Sequence, residues 1–129
     1  MFDAIFWKEI KTNYEKSYYE FENYIHNNYK DIYHVYIDFF FIIDNGKPVI
    51  IPFEILYGII EIYFDGLKIE INIIHYNCLT WYFVIDDYIN KQYISNKDYN
   101  FNSRLEAKLA AVKKSFELRE TQLKEVKHE

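Results

Sequence analysis

Apolar and polar positions recur along this chain with two periods, and the changes of period mark its elements. Between residues 4 and 28, Trp7, Ile10, Tyr14, Tyr18, Phe21 and Ile25 step by three or four, with Glu9, Glu15, Glu20 and Glu22 off that stripe. This is the signature of an amphipathic helix, with Asp3 as its N-cap and a break near Lys16-Ser17. Residues 33–43 alternate instead: Tyr33, Val35, Ile37, Phe39, Phe41 and Ile43 fall on one face of a strand, and His34, Tyr36, Asp38 and Phe40 on the other. Asp44-Asn45-Gly46-Lys47-Pro48 is a turn cluster centred on Asn-Gly, so a return strand at 49–51 completes a hairpin. Pro52 suits the first position of a helix in which Phe53, Leu56, Tyr57, Ile60 and Phe64 form the apolar side and Asp65-Gly66 the end. The β-rich run Ile59–Phe64 makes strand the competing reading. A second hairpin follows, with Leu67, Ile69, Ile71 and Ile73 inward, a turn at Asn77-Cys78, and Leu79, Trp81, Phe83 and Ile85 on one face of the return strand. Residues 88–102 read as a loop or an irregular edge strand.

Residues 103–129 open with a capping box, Ser103 and Glu106. Leu105, Leu109, Val112, Phe116, Leu123 and Val126 then recur as a heptad-like stripe in which Arg119 takes one apolar place. Such a helix is about 40 Å long, more than a small domain needs to cover its core, so the excess is expected to meet a partner or a second copy of the chain. The element order is αββαββα. It predicts one α+β domain over residues 1–129: an antiparallel sheet of about four strands, helices on one face, a core at 1–102 and a terminal helix at 103–129 that partly projects.

Composition narrows the function classes. Net charge is −5, with 11 acids and 5 bases in residues 1–66 against 9 acids and 10 bases in 67–129. A chain of this sign lacks the basic face that direct nucleic-acid binding needs, and suits a basic surface on another protein. No run of ~18 apolar residues lacks a charge, and no basic region precedes the short apolar start, so neither a membrane span nor a secretory signal is expected. A single cysteine, Cys78, excludes an internal disulfide; a cytoplasmic setting in a host cell is the expectation. Fourteen Tyr, eleven Phe and two Trp are more rings than a core of this size hides, so many Tyr rings should be half exposed, as at interfaces. An AT-rich coding sequence produces the same bias.

Catalytic motifs are absent. Gly46, Gly58 and Gly66 cannot build a phosphate-cradling loop. His75 and Cys78 flank a turn without the further groups a Cys–His nucleophile needs. Asp86 and Asp87, with Asp44, Asp65 and Glu70, could sit at sheet ends, but adjacent strand residues point to opposite faces and do not make a metal pair. His26, His34 and His128 show no ligand spacing. No catalytic residue, metal or cofactor is expected. Lys108, Lys113, Lys114, Lys124 and Lys127 interleave with Glu106, Glu117, Glu120 and Glu125 as a solvated helix face. The acids and tyrosines of the first helix could also imitate a nucleic-acid strand, although −5 is a modest charge for a mimic.

The stretch Phe101-Asn102-Ser103-Arg104-Leu105-Glu106-Ala107, continuing through Ala110-Ala111, Lys114 and Phe116-Glu117-Leu118, resembles the final helix of many small proteins of Bacteroidetes and their phages. Pro52-Phe53-x-x-Leu56-Tyr57-Gly58 is similar to a helix of the same group, and the resemblance covers residues 50–125. It carries over no catalytic residues; it implies a mobile-element setting, in which small acidic proteins include anti-CRISPR and other anti-defence inhibitors. The expected function is therefore a non-enzymatic binding protein, a phage-derived inhibitor occupying a basic surface of a host protein such as a CRISPR effector or its ribonucleoprotein. The alternative is a structural or accessory phage protein that forms homo-oligomers through the terminal helix. The expected partner-binding residues are Glu15, Tyr19 and Glu22 outside the first stripe, Glu20 at its edge, and Phe116, Arg119 and Leu123 of the terminal helix.

Overall fold

The computed structural model describes residues 2–29, 34–36, 39–76, 80–95 and 101–126. Among these it is an α+β protein with four helices, antiparallel sheets and a long C-terminal helix. The helices are α1 (Phe2–Asn13), α2 (Glu15–Tyr29), α3 (Phe53–Gly66) and α4 (Arg104–Val126); the strands are β1 (His34–Tyr36), β2 (Phe39–Asp44), β3 (Lys47–Ile50), β4 (Ile69–Tyr76), β5 (Thr80–Asp87) and β6 (Gln92–Ser95). The strands form two sheets, β1-β2-β3 and β4-β5-β6, where the pattern predicted one sheet of about four strands. The chain divides into two compact units: Met1–Tyr57 with Phe116–Glu129, and Gly58–Ser115.

In the first unit the predicted stripe, apart from the half-buried Tyr14 at the bend, is the buried face of α1 and α2: Trp7, Ile10, Tyr18, Phe21 and Ile25 are all within 1% of full burial. α1 starts at Phe2, which places Asp3 in its first turn rather than at its cap. The break between the helices is a bend at Tyr14, earlier than the predicted Lys16-Ser17. The Trp7 indole is the hub of the core. It meets Phe40 edge-on at 4.9 Å, stacks on Phe21 at 5.8 Å and meets Phe116 edge-on at 6.1 Å. Each such pair contributes about 0.5–1.5 kcal/mol beyond the area it buries.

The single strand expected over 33–43 is two. Tyr36 pairs with Phe39 and His34 with Phe41, so the chain reverses between Tyr36 and Phe39. The pairing decides which face is inside: Phe40, on the face opposite Phe39, Phe41 and Ile43, is fully buried against Trp7, Tyr18 and Phe21, while Ile43 is 54% exposed. Alternation counts faces only while a strand continues, and a reversal resets which face meets the core. Tyr33, Ile37 and Asp38 of that reading lie outside the described residues. The Asn-Gly hairpin forms as expected: Asp44 pairs with Lys47, and Asn45 and Gly46 both take positive φ, the conformation a two-residue hairpin loop requires. α3 is helix, with Phe53, Leu56, Tyr57, Ile60 and Phe64 buried. Its helical conformation runs through Gly66, and Lys68 takes the left-handed conformation after it.

In the second unit β4 and β5 pair antiparallel from Ile69↔Asp87 to Tyr76↔Thr80; Asn77, Cys78 and Leu79, on which the expected turn falls, lie outside the described residues. Ile69, Ile71, Phe83 and Ile85 are buried as the alternation requires, while Leu67, Ile73 and Trp81 of the same face are half-buried and Val84 of the opposite face is buried as well. Part of the 88–102 stretch is a true strand: β6 pairs with β5 from Val84↔Ser95 to Asp87↔Gln92 across a four-residue turn.

The buried side of α4 shares only Val112 and Phe116 with the heptad stripe. Ala107, Lys108, Ala111, Val112, Ser115, Phe116 and Glu120 are buried, while Leu105 is 36% exposed and Leu109 and Leu123 are intermediate. The stripe advances by fours and pairs small residues (107, 111, 115) with larger ones (108, 112, 116, 120). Small residues allow the close backbone approach that a Leu-rich seam does not, so the apolar count along the sequence found Val112 and Phe116 but missed the Ala and Ser positions beside them. Val126 and residues 127–129 are not placed on either side here, because the side chain of Val126 and those last residues lie outside the description.

Candidate functional site

The bend at Tyr14 frees backbone donors at the start of α2, and the C-terminal part of α4 takes one of them up. The N–H of Ser17 donates to Glu120 Oε1 at 2.9 Å, and the Ser17 hydroxyl donates to the Phe116 carbonyl at 2.9 Å, with the Tyr14 carbonyl at 3.2 Å. Ser17 is fully buried and Glu120 only 6% exposed. A carboxylate at a helix N-terminus meets both the free N–H groups and the positive end of the helix dipole, so Glu120 acts as a cap supplied from 103 residues away. Burial, then the carboxylates of Glu117 and Glu9, raise the Tyr14 hydroxyl above its ordinary pKa.

One turn along, Arg119 makes a two-pronged contact with Glu20: Nε to Oε1 at 2.7 Å and the Nη2 nitrogen to Oε2 at 2.8 Å, with Nη1 bonded to Gln122 Oε1 at 3.0 Å. The two side chains are 20% and 31% exposed, so solvent still screens them, but the forked geometry fixes the spacing of α2 and this end of α4. Between these helices lies an open groove of about 500 Å³ lined by Glu15, Lys16, Tyr19, Glu20, Asn23 and Leu123. Tyr19 is 41% exposed, its ring edge-on to Tyr18 and 5.7 Å from the Lys11 ammonium.

Four expected partner-binding residues, Glu15, Tyr19, Glu20 and Leu123, thus line one groove; Glu22 is half-buried on the same helix and does not line it. Arg119 lies behind the groove, bound to Glu20. Phe116 does not belong with them. It is fully buried against Trp7 and Phe21, so it supports the groove from the core and offers no surface to a partner. Lys16 and Asn23 were missed, although i to i+4 spacing from Glu20 and Tyr19 would have found them. Along the sequence Ser17 reads only as part of a helix break, and Glu120 and Lys108 read as a solvated helix face, which their burial overturns.

In the second unit the acids have structural work. Asp87, only 1% exposed, accepts the N–H groups of Ile89 and Asn90 at 3.2 Å each and the Asn90 side-chain amide at 2.9 Å, closing the turn into β6. Glu61 on α3 is pushed above the ordinary carboxylate range by burial first and by Asp65 second, against the opposing charges of Lys108 and Arg104. Among the described residues no group of three or more His, Cys, Asp or Glu is placed to share a metal ion, and no helix is long and apolar enough to cross a membrane. His75 stacks on Trp81 at 4.2 Å with the rings 12° apart, a contact that packs an exposed imidazole. Compared with models of protein families, with curated proteins and with solved structures, the chain matches none.

Proposed function

We propose that this protein is a non-enzymatic binding protein that occupies a basic surface of another protein through the α2–α4 groove. A bacterial defence protein of the CRISPR-effector kind is the target that the mobile-element resemblance favours, with inhibition as the outcome. The observation that carries the reading is the convergence of Glu15, Tyr19, Glu20 and Leu123, from helices about a hundred residues apart in the chain, on one open groove. Charge supports it: the unit that holds the groove has 13 acids and 8 bases, and so the whole net charge of −5, while the other unit has 7 of each. Charge of one sign on one unit steers a partner of the other sign and raises the association rate. Because Glu20 is tied to Arg119, Glu15 and Glu22 are the acids that do the steering, and Tyr19 is the ring that anchors.

A self-association reading is left with only part of its surface. The heptad stripe it needs has Val112 and Phe116 in its middle, both fully buried. The test begins with capture of targets from the native host and identification by mass spectrometry. Affinity is then measured for Glu15→Lys, Glu22→Lys and Tyr19→Ala, each first shown to melt as the parent does. The charge reversals should slow association and flatten its salt dependence, and Tyr19→Ala should speed dissociation, at about 2 kcal/mol if the ring is a hot spot. Three variants that bind like the parent would move the interface away from the groove.

A further inference from the structure

The two faces of the β4-β5-β6 sheet differ in chemistry. One carries the buried Ile69, Ile71, Phe83 and Ile85. The register assigns the other face the even positions of β4 and β5, 70–76 and 80–86, together with Tyr93 and Ser95 of β6. Those ten positions hold three tyrosines, two acids and no Lys, Arg or His. Tyr93 is 68% and Tyr76 43% exposed; Tyr82, edge-on to Tyr76 at 6.2 Å, Ile74 and Asp86 are half-buried, and Val84 on the same face is buried.

Glu70 and Asp86 lie directly opposite each other on paired strands, and Asp86 in turn lies opposite Tyr93. Like charges in that position destabilise a sheet. Glu70 accepts from the Asn72 amide at 3.0 Å and the Tyr88 hydroxyl at 3.3 Å, both neutral donors. Lys68 lines a shallow pocket with Glu70, but among the described residues neither Glu70 nor Asp86 has an ion-pair partner. Among the described residues, then, two facing carboxylates lie beside exposed rings with no cation paired to them.

We propose that this face docks an extended, arginine-bearing segment of another protein. A guanidinium has the flat shape that stacks on tyrosine and the forked donors that reach two carboxylates at once, so one arginine would offset the repulsion between Glu70 and Asp86 while lying against Tyr93. Lysine, a point charge, does less of both. In an extended segment alternate side chains recur every ~6.5 Å, the spacing of Asp86, Val84 and Tyr82 along β5, so an arginine at the acid row places the residue four further on at Tyr82, past the buried Val84. This surface and the groove lie in different units and can be tested apart.

The experiment uses the full chain, its assigned amide NMR spectrum, and three synthetic nonapeptides in which threonine alternates with arginine, lysine or glutamate. The arginine peptide should shift amides of residues 70–76, 80–86 and 92–95, the lysine peptide should bind several-fold more weakly, and the glutamate peptide should not bind. Glu70→Gln with Asp86→Asn should cut arginine-peptide affinity about tenfold or more while leaving the melting temperature equal or higher, because a repulsion has been removed. Tyr93→Ala, at a position 68% exposed and safe for folding, should weaken it several-fold, and Glu22→Lys should leave it unchanged. Shifts located elsewhere, equal binding of the lysine peptide, or an unaffected double variant would overturn the proposal. So would an oligouridine that shifts these amides when the arginine peptide does not, since the rings would then be a base-stacking platform.

Discussion

Ser17 sits three residues past the bend between α1 and α2, where a helix start leaves N–H groups without partners, and the carboxylate that answers it belongs to Glu120. Removing that acceptor strands a buried donor, so Glu120→Ala should cost about 1–3 kcal/mol in a urea or thermal unfolding experiment, while Glu120→Gln, which keeps an oxygen, should cost less. Glu61 gives a pH signature of the opposite kind. Its folded-state pKa is raised, chiefly by burial, so the folded protein takes up the proton before the unfolded chain does. Stability therefore gains from this group as pH falls through the raised value toward the ordinary one, and the gain is absent at neutral pH. Unfolding of the parent and of Glu61→Gln should accordingly show the parent improving relative to the variant between pH 7 and pH 4. A difference constant with pH would remove Glu61 from the account.

At the scale of an element, α4 shows how an apolar tally misleads. Leu105 belongs to the heptad-like pattern yet is 36% exposed, and Ala111 lies outside it yet is fully buried. Ala111→Leu should overpack the buried side and cost about 1–3 kcal/mol, whereas Leu105→Ala should stay within about 0.5–1 kcal/mol. Phe116→Ala, which empties a place beside Trp7 and Phe21, should cost about 3–5 kcal/mol. Had the heptad stripe been the buried seam, the first two effects would be reversed in size. α1, α2 and α3 behaved differently: their apolar residues are large, the 3.6-residue period is carried by those residues alone, and the predicted stripes are the buried ones.

For the whole molecule, charge is partitioned by fold rather than by chain order. The division of the sequence into halves gave −6 and +1; the compact units hold −5 and zero, because Glu61 and Asp65 pass to the second unit while residues 116–129 bring four acids and three bases to the first. Association of the groove with a basic target should then slow several-fold as the salt concentration rises to about 0.5 M, where the screening length falls to a few ångströms. Stopped-flow mixing with the captured target over a salt series measures this, and a salt-independent rate would mean that the net charge does not steer.

The α+β class, the amphipathic faces of α1–α3, the Asn-Gly turn and the β4–β5 hairpin were legible because each depends on neighbours within one or two turns of chain. Local period and turn chemistry carry that information. The Ser103 cap is of the same kind, with its hydroxyl accepting the Glu106 N–H at 3.1 Å. Tertiary structure alone decided the rest. The reversal between Tyr36 and Phe39 set which face of β2 is inside, and the partition into two sheets followed from pairings that alternation does not specify. The groove was half legible: helical spacing exposes Glu15 and Tyr19, but only folding brings Leu123 beside them, holds Glu20 with Arg119 and buries Phe116. The reason is physical. A side chain's partner across a fold is chosen by shape, by backbone donors left open at bends and by how closely small residues let two elements approach, and none of these is written in the spacing of residues along a single chain.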